Sequence, residues 1–370
     1  MKTIAIVINT SWNIFNFRLG LLKALQKEGY NIVAIAPKDE YSKKLEDLGI
    51  KHYDIKINNK GTNPFEDAKL VFAFRKLYKE INPDIILQYT IKPNIYGSMA
   101  AGMLGIPVIS NISGLGTVFL NNSLSSKIAR LLYKIALSTP KKVFFQNTHD
   151  KALFIDSKLV TKAQTGLLPG SGIDTEVFKP EEKQTIGNKI QFLCVARLVK
   201  DKGIKEYEAA ARQLKQKYDN VEFAILGAYY SDNPTAISKK EIEAWKEEHI
   251  INYLGSNDDV RSVMLEADCI VLPSYREGLS RVLLEAGSLE KPIVTTDVPG
   301  CRDVVDDGVN GFLCQVRDAE SLADAMEKIL LMSEEERIAM GKKGRKKVIA
   351  EFDEKLVIEK YKEVITELIQ

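Results

Sequence analysis

A chain of 370 residues is too long for one compact core and fits two domains, each large enough to be stable. Its 45% hydrophobic and 28% charged residues are ordinary for a soluble globular protein. With a net charge of only +2 nothing suggests wholesale nucleic-acid binding, and no apolar run is long enough for a transmembrane helix.

The first segment, Met1 to Ile8, has the lysine and apolar stretch of a signal peptide. It lacks a small-residue cleavage site, and polar Asn9-Thr10-Ser11 follow at once, so a first buried strand explains it better. Further short buried strands are predicted over Asn31–Ala36, His52–Ile57, Ile85–Gln88, Val108–Ile112 and Val143–Gln146. Helical patterns over Arg18–Glu28, Ser42–Leu48, Pro64–Glu80, Ile95–Leu104 and Ser125–Ser138 separate them. Leu168-Pro169-Gly170-Ser171-Gly172 and the polar stretch 180–188 mark a boundary. The alternation restarts at Lys189–Ala196 and runs through Val221–Gly227, Ile251–Gly255, Cys269–Pro273, Ile293–Thr295 and Gly311–Cys314. It ends in helices over Ala319–Leu331, Ser333–Ala350 and Glu354–Ile369. The fold class is α/β: two doubly wound, Rossmann-like parallel sheets covered by helices, with ligands expected at the carboxyl ends of the strands. The predicted domains are 1–168, 169–352 and a last helix, 353–370. The four cysteines form no C-x-x-C pair and read as small buried hydrophobes in a reducing cytosol.

Two groups of residues carry the chemistry. Arg197 follows directly on a strand and Lys202 comes five residues later, before Gly203 and a new helix, where an anion would be found. Glu277 and Glu285 stand eight positions apart, in a polar loop after the strand at 269–273 and in the helix that follows. The helix is expected to carry Gly278 in its first turn, and its unpaired N–H groups suit a phosphate. Eight helical residues rise about 12 Å, so the two carboxylates could reach opposite ends of one long ligand. Taken by spacing alone, a solvated Glu before a helix and another on its outer face fit equally well, as do two surface cations in a loop.

The run Glu277-Gly278-Leu279-Ser280 with the turn Leu283-Leu284-Glu285-Ala286 resembles the donor-site signature of family-4 retaining glycosyltransferases. Arg197 to Gly203 is similar to that family's Arg…Lys-Gly motif. The resemblance implies the GT-B architecture: a first, acceptor-binding domain faces a nucleotide-sugar-binding domain across a cleft, and the last helix crosses back to the first. It implies that Arg197 and Lys202 hold the donor diphosphate, Glu277 faces the transferred sugar and Glu285 holds the ribose hydroxyls. Gly278, Leu279 and Ser280 would line the donor site, with Gly255 and Val260 near the base and Gly172 in the interdomain segment. On the acceptor side the matches are weaker and fall on Asn16, Arg18, Gly114, Leu115 and Gly116. Arg18, at the start of a helix, could touch an acceptor phosphate, but an ordinary surface arginine is the preferred reading. Many relatives carry a histidine in the first domain, and Ile112 to Thr117 has none.

The Gly114-Leu115-Gly116 run looks like the branch that extends polyprenyl-diphosphate-linked saccharides for bacterial surface glycans or protein glycosylation. The partners so implied are a UDP-sugar and a polyprenyl-diphosphate-linked saccharide, with transfer of an N-acetylhexosamine or hexose into an α-linkage. No metal or other cofactor is expected, since no Asp-x-Asp stands at a strand end. A nucleotide-sugar epimerase of similar two-domain fold and a two-lobed sugar-binding protein are the alternatives. A glycoside hydrolase is set aside because the helical spacing would hold Glu277 and Glu285 too far apart. The expected location is cytoplasmic. Ser125 to Lys142 interleaves five cations with apolar residues, and it can be read as contacting the inner membrane leaflet or as an ordinary sheet-covering helix.

Overall fold

The computed structural model describes residues 1–58, 63–115, 124–181, 189–229, 233–257 and 259–369. It divides into two compact units, Met1–Ser171 with Glu354–Gln370, and Gly172–Asp353.

In the first unit, β1 (Thr3–Val7), β2 (Asn31–Ala36), β3 (Lys51–Asp54), β4 (Ile85–Tyr89), β5 (Val108–Ile112), β6 (Lys142–Phe145) and β7 (Thr165–Leu167) form one parallel sheet in the order β3-β2-β1-β4-β5-β6-β7. The central strands are nearly continuous Ile, Val, Leu and Ala because both faces are covered. On one face lie α1 (Ser11–Lys27), α2 (Glu40–Asp47) and the last helix, α13 (Glu354–Ile369). On the other lie α3 (Pro64–Ile81), a π-helical turn at Pro93–Gly97 that continues into α4 (Ser98–Gly102), α5 (Leu124–Ala136) and α6 (Thr148–Asp156). The short α6 and β7 escape the sequence patterns: α6 spans nine residues with no clear apolar stripe, and β7 has three residues including Gly166. β3 ends at Asp54, three residues before the predicted end.

The second unit contains β8 (Ile190–Val195), β9 (Val221–Leu226), β10 (Asn252–Tyr253), β11 (Cys269–Leu272), β12 (Ile293–Thr296) and β13 (Gly311–Cys314), all parallel, in the order β10-β9-β8-β11-β12-β13. The helices are α7 (Ile204–Lys217), α8 (Lys239–Glu247), α9 (Arg261–Glu266), α10 (Arg281–Ser288), α11 (Ala319–Leu331) and α12 (Glu334–Phe352). The strand order reverses between β8 and β11, and in the first unit between β1 and β4. At such a point the loops leaving two neighbouring strands diverge to opposite faces and open a crevice at the carboxyl ends. The four cysteines are free and buried. Among the described residues, no helix is long and apolar enough to cross a membrane.

Candidate functional site

The loops at the ends of β8 and β11 are held together by close backbone contact. After β8 the chain makes a 3₁₀ turn, Lys200–Lys202, and reaches Gly203 at φ +70°. A Cβ at Gly203 would lie 2.1 Å from the carbonyl oxygen of Pro273, the residue after β11, so only glycine lets the two loops touch. The backbone N–H of Tyr275 then donates to the Asp201 carbonyl at 2.9 Å, and the Ser274 hydroxyl donates to the same oxygen at 3.3 Å. The result is an ion pair. The ammonium of Lys202 donates to Glu277 Oε1, with the two side chains only 18% and 15% exposed.

A third loop, after β12, holds Glu277 from behind. The Glu277 N–H donates to the Pro299 carbonyl at 3.3 Å, and the Ser280 N–H to the Gly300 carbonyl at 3.0 Å. Gly300, at φ +80°, would carry a Cβ 2.6 Å from the Glu277 carbonyl oxygen. Burial, reinforced by the charge of Glu277, pushes the Cys301 thiol up to about 12. The contribution of this loop is not evident from sequence. Its signal is a Pro299-Gly300 pair three residues past the end of β12.

The helix after β11 begins later than the sequence suggests. α10 starts at Arg281 with Ser280 in the N-cap position, so Gly278 and Leu279 lie in the partly buried turn before it. Leu279 packs on the apolar core. Glu277 is therefore outside the helix, and the 12 Å helical rise between the two carboxylates does not apply, nor does the rejection of a hydrolase that was built on it. The Gly-Leu-Ser stretch forms its turn against the Gly300 loop instead of continuing the helix. Ser280 makes no side-chain cap, which leaves the first N–H groups of α10 without that partner.

Glu285, one turn into α10, is 7% exposed. Arg281 Nε donates to its Oε1 at 2.9 Å, and Arg281 Nη1 donates to the Gly172 carbonyl at 3.2 Å. Burial raises the Glu285 pKa, against the opposing pull of the Arg281 charge. Arg197 stands exposed just past β8, on the same strand end as Lys202. Gly255, at φ +75°, accepts from the Gly227 N–H at 2.7 Å and ties the end of β9 to that of β10. Val260 leads into α9 and is partly buried.

In the first unit, the helix that carries Asn16 and Arg18 begins earlier than the sequence pattern suggests. α1 begins at Ser11, capped by Thr10, because Ser11-Trp12-Asn13 continues the helical stripe through Ile14. Arg18 is thus well inside the helix and 7% exposed, with its guanidinium 4.5 Å from the centre of the Tyr89 ring. The Asn16 amide donates back to the Trp12 carbonyl at 2.9 Å. Leu115 is spent on core packing at 3% exposure, Gly114 is partly buried, and Gly116 lies outside the described residues. Gly114 borders a depression of about 260 Å³ whose other walls include Thr90, Asn94 and Ser113. Thr90, at φ +65°, has a buried hydroxyl without a hydrogen-bond partner, and so does the Asn94 Oδ1. Sequence reasoning passed over both, although Thr90 follows directly on β4, beside the strand reversal, and Asn94 lies in the π-helical turn that comes next.

Comparison with known proteins gives these geometries a context. Residues 177–347 match the family described as glycosyl transferases group 1, and residues 3–147 match glycosyl transferase 4-like. The chain is 28% identical to the N,N'-diacetylbacillosaminyl-diphospho-undecaprenol α-1,3-N-acetylgalactosaminyltransferase of Campylobacter jejuni, over 97% of this chain and 96% of that one. It is 25% identical to the UDP-Gal:α-D-GlcNAc-diphosphoundecaprenol α-1,3-galactosyltransferase of Escherichia coli, over 82% and 80% of the two chains. Its fold is similar to that of Anabaena HepE in complex with UDP-glucose (TM-score 0.81, 18% identity, 99% and 100% coverage). A glycosyltransferase from Rickettsia africae matches equally well (TM-score 0.81, 19% identity, 100% and 99% coverage). Nothing in these matches supports the epimerase alternative.

Proposed function

This chain belongs to the glycosyltransferases, 4-like in its first half and group 1 in its second, with the GT-B fold, and from that premise we propose that it transfers an N-acetylhexosamine or hexose from a UDP-sugar to a polyprenyl-diphosphate-linked saccharide, forming an α-linkage with retention. The observation that carries the reading is the Lys202–Glu277 pair at the strand reversal of the second sheet, with Arg197 on the same strand end. The names of the two relatives supply the lipid-linked acceptor class, and the UDP-bound neighbour supplies the nucleotide.

The geometry implies an order of events. An ammonium held by one carboxylate is a ready anion site: the donor diphosphate, with more negative charge, displaces Glu277 as the counter-ion of Lys202. Arg197 adds a second, forked cation. Released from Lys202, Glu277 faces the sugar whose ring becomes cationic as its bond to the diphosphate breaks. The acceptor hydroxyl attacks the anomeric carbon on the face the diphosphate leaves, and a departing phosphate oxygen takes its proton. Fixed cations stabilise the leaving charge, so no metal is called for. Glu285 accepts from the ribose hydroxyls, exchanging them for part of its bond with Arg281. On the acceptor side, the depression beside Thr90 and Asn94 offers two unpartnered oxygens to sugar hydroxyls. A lipid-linked acceptor also fits a peripheral place on the cytoplasmic face of the membrane.

The test uses the full chain, a panel of UDP-sugars and an undecaprenyl-diphosphate-linked saccharide. One UDP-sugar should label the acceptor, and anomeric couplings in the proton spectrum of the product should be those of an α-glycoside. A β-glycoside, or isomerised donor without labelled acceptor, overturns the reading. Activity should survive EDTA. Complete loss with rescue by Mn²⁺ would refute the metal-independent diphosphate site.

A further inference from the structure

The helices over one face of the first sheet do more than cover it. α3, α4 and α5 turn Phe74, Ala100 and Tyr133 into a single core cluster and so form one layer. The outer sides of α3 and α5 carry large apolar side chains. Phe65 and Phe72 on α3 are 80% and 65% exposed, and Ile128, Leu131 and Ile135 on α5 are 51%, 58% and 52% exposed. The spacings, i and i+7 on α3 and i, i+3 and i+7 on α5, put each set on one helix face. Single exposed apolar residues are ordinary, but two stripes on one layer mark a surface that meets a partner.

Charge identifies that partner. Exposed Lys69 and Lys76 continue the Phe65–Phe72 stripe at i+4 and i+11, and exposed Lys127 and Lys134 flank the stripe on α5. α5 contains three cations and no acidic residue. A second copy of the chain docking here would bring like charges together. An anionic bilayer neutralises them, takes the rings and aliphatic chains at the boundary between headgroups and acyl chains, and lets the lysine stems reach up to the phosphates. We infer that the α3–α5 face is a docking surface for an anionic membrane, with Phe65, Phe72, Ile128, Leu131 and Ile135 as the inserting residues. The inference deepens the lipid-linked acceptor reading but needs neither donor nor acceptor, so the two can fail separately.

The test is co-sedimentation of the full chain with vesicles of phosphatidylcholine containing phosphatidylglycerol, against vesicles of phosphatidylcholine alone. Binding should be confined to the anionic vesicles. The pair Lys127→Gln and Lys134→Gln should weaken it by about 25-fold, roughly fivefold for each cation. Phe65→Ser with Phe72→Ser should abolish retention on the vesicles. Because these side chains point to solvent, circular dichroism and melting should be unchanged, as should transfer to a short soluble acceptor. A Phe72→Trp protein should gain blue-shifted emission only on anionic vesicles. Equal binding to both vesicle types, no binding, or binding insensitive to both pairs overturns the inference. So does a dimer in sedimentation equilibrium that Phe65→Ser with Phe72→Ser dissociates, which would assign the face to a second copy.

Discussion

Glu285 is a carboxylate whose burial works against the fold and, in the proposed function, for the ligand. Its folded pKa is raised, so the native state holds its proton more tightly than the unfolded chain does. The sign follows: below the ordinary Glu pKa of about 4.3 both states are protonated and nothing is lost, whereas above the raised pKa the charged form is penalised in full. Glu285→Gln should therefore melt no lower than wild type at pH 7, even though it weakens the Arg281 contact. Any advantage should vanish as the pH falls through the Glu range. The same variant should raise the donor KM while kcat changes little, because a ribose contact binds ground and transition states alike. Glu277→Gln should do the converse and lower kcat. Steady-state kinetics of the two variants with calorimetric melts at several pH values check this. Equal losses in KM and kcat for both would dissolve the division of roles. For Arg197→Ala and Lys202→Ala the loss should fall on kcat/KM, together several kcal/mol if both cations stabilise the leaving diphosphate.

Elements show what could be read from sequence and what could not. Strands such as β8 and β11 were legible because both faces are buried and their apolar runs are nearly unbroken. The places of Arg197 and Lys202 beyond one and of Glu277 beyond the other followed from the general rule about strand ends. The start of α10 was missed because Glu-Gly-Leu-Ser is compatible with a helical turn. Only the Gly300 loop, distant in sequence, decides that this stretch stays outside the helix. Similarly, α1 begins seven residues before the sequence pattern places it. Ser11, Asn13 and Asn16 are polar and hide the start: the Thr10 hydroxyl caps the helix, the Asn16 amide folds back on the Trp12 carbonyl, and Ser11 donates to the Pro37 carbonyl, which no sequence window displays. The loops that position the site rest on glycines at positive φ. Gly203→Ala and Gly300→Ala should each cost about 1–3 kcal/mol in urea unfolding, since a Cβ would strain the backbone and strike the carbonyl of Pro273 or Glu277. Donor binding should fall with them, through displacement of Lys202 and Glu277. Unchanged stability in both variants would show that the loops relax without cost.

At the scale of the molecule, the first unit is closed by the end of the chain. α13 buries Val357, Tyr361, Ile365 and Ile369, four residues apart along one stripe, against the sheet and α1. Tyr361 also accepts from the Asn111 amide at 3.2 Å and sits with its ring 5.3 Å from that of Phe144, so the helix is keyed into β5 and β6. At about 1.5–3 kcal/mol for each fully buried side chain, the stripe contributes roughly 6–12 kcal/mol before the entropy of ordering the helix. That is comparable to the whole stability of a domain, about 5–15 kcal/mol. The unit Gly172–Asp353 has its own core and does not depend on this helix for it. Truncation after Asp353 should therefore remove one of two transitions in a calorimetric scan and leave the other in place. The surviving transition should still rise on addition of UDP, because the proposed diphosphate and ribose contacts lie in Gly172–Asp353. Loss of both transitions would mean that the two units fold as one cooperative body. Survival of both would mean that α13 contributes far less than its buried stripe suggests.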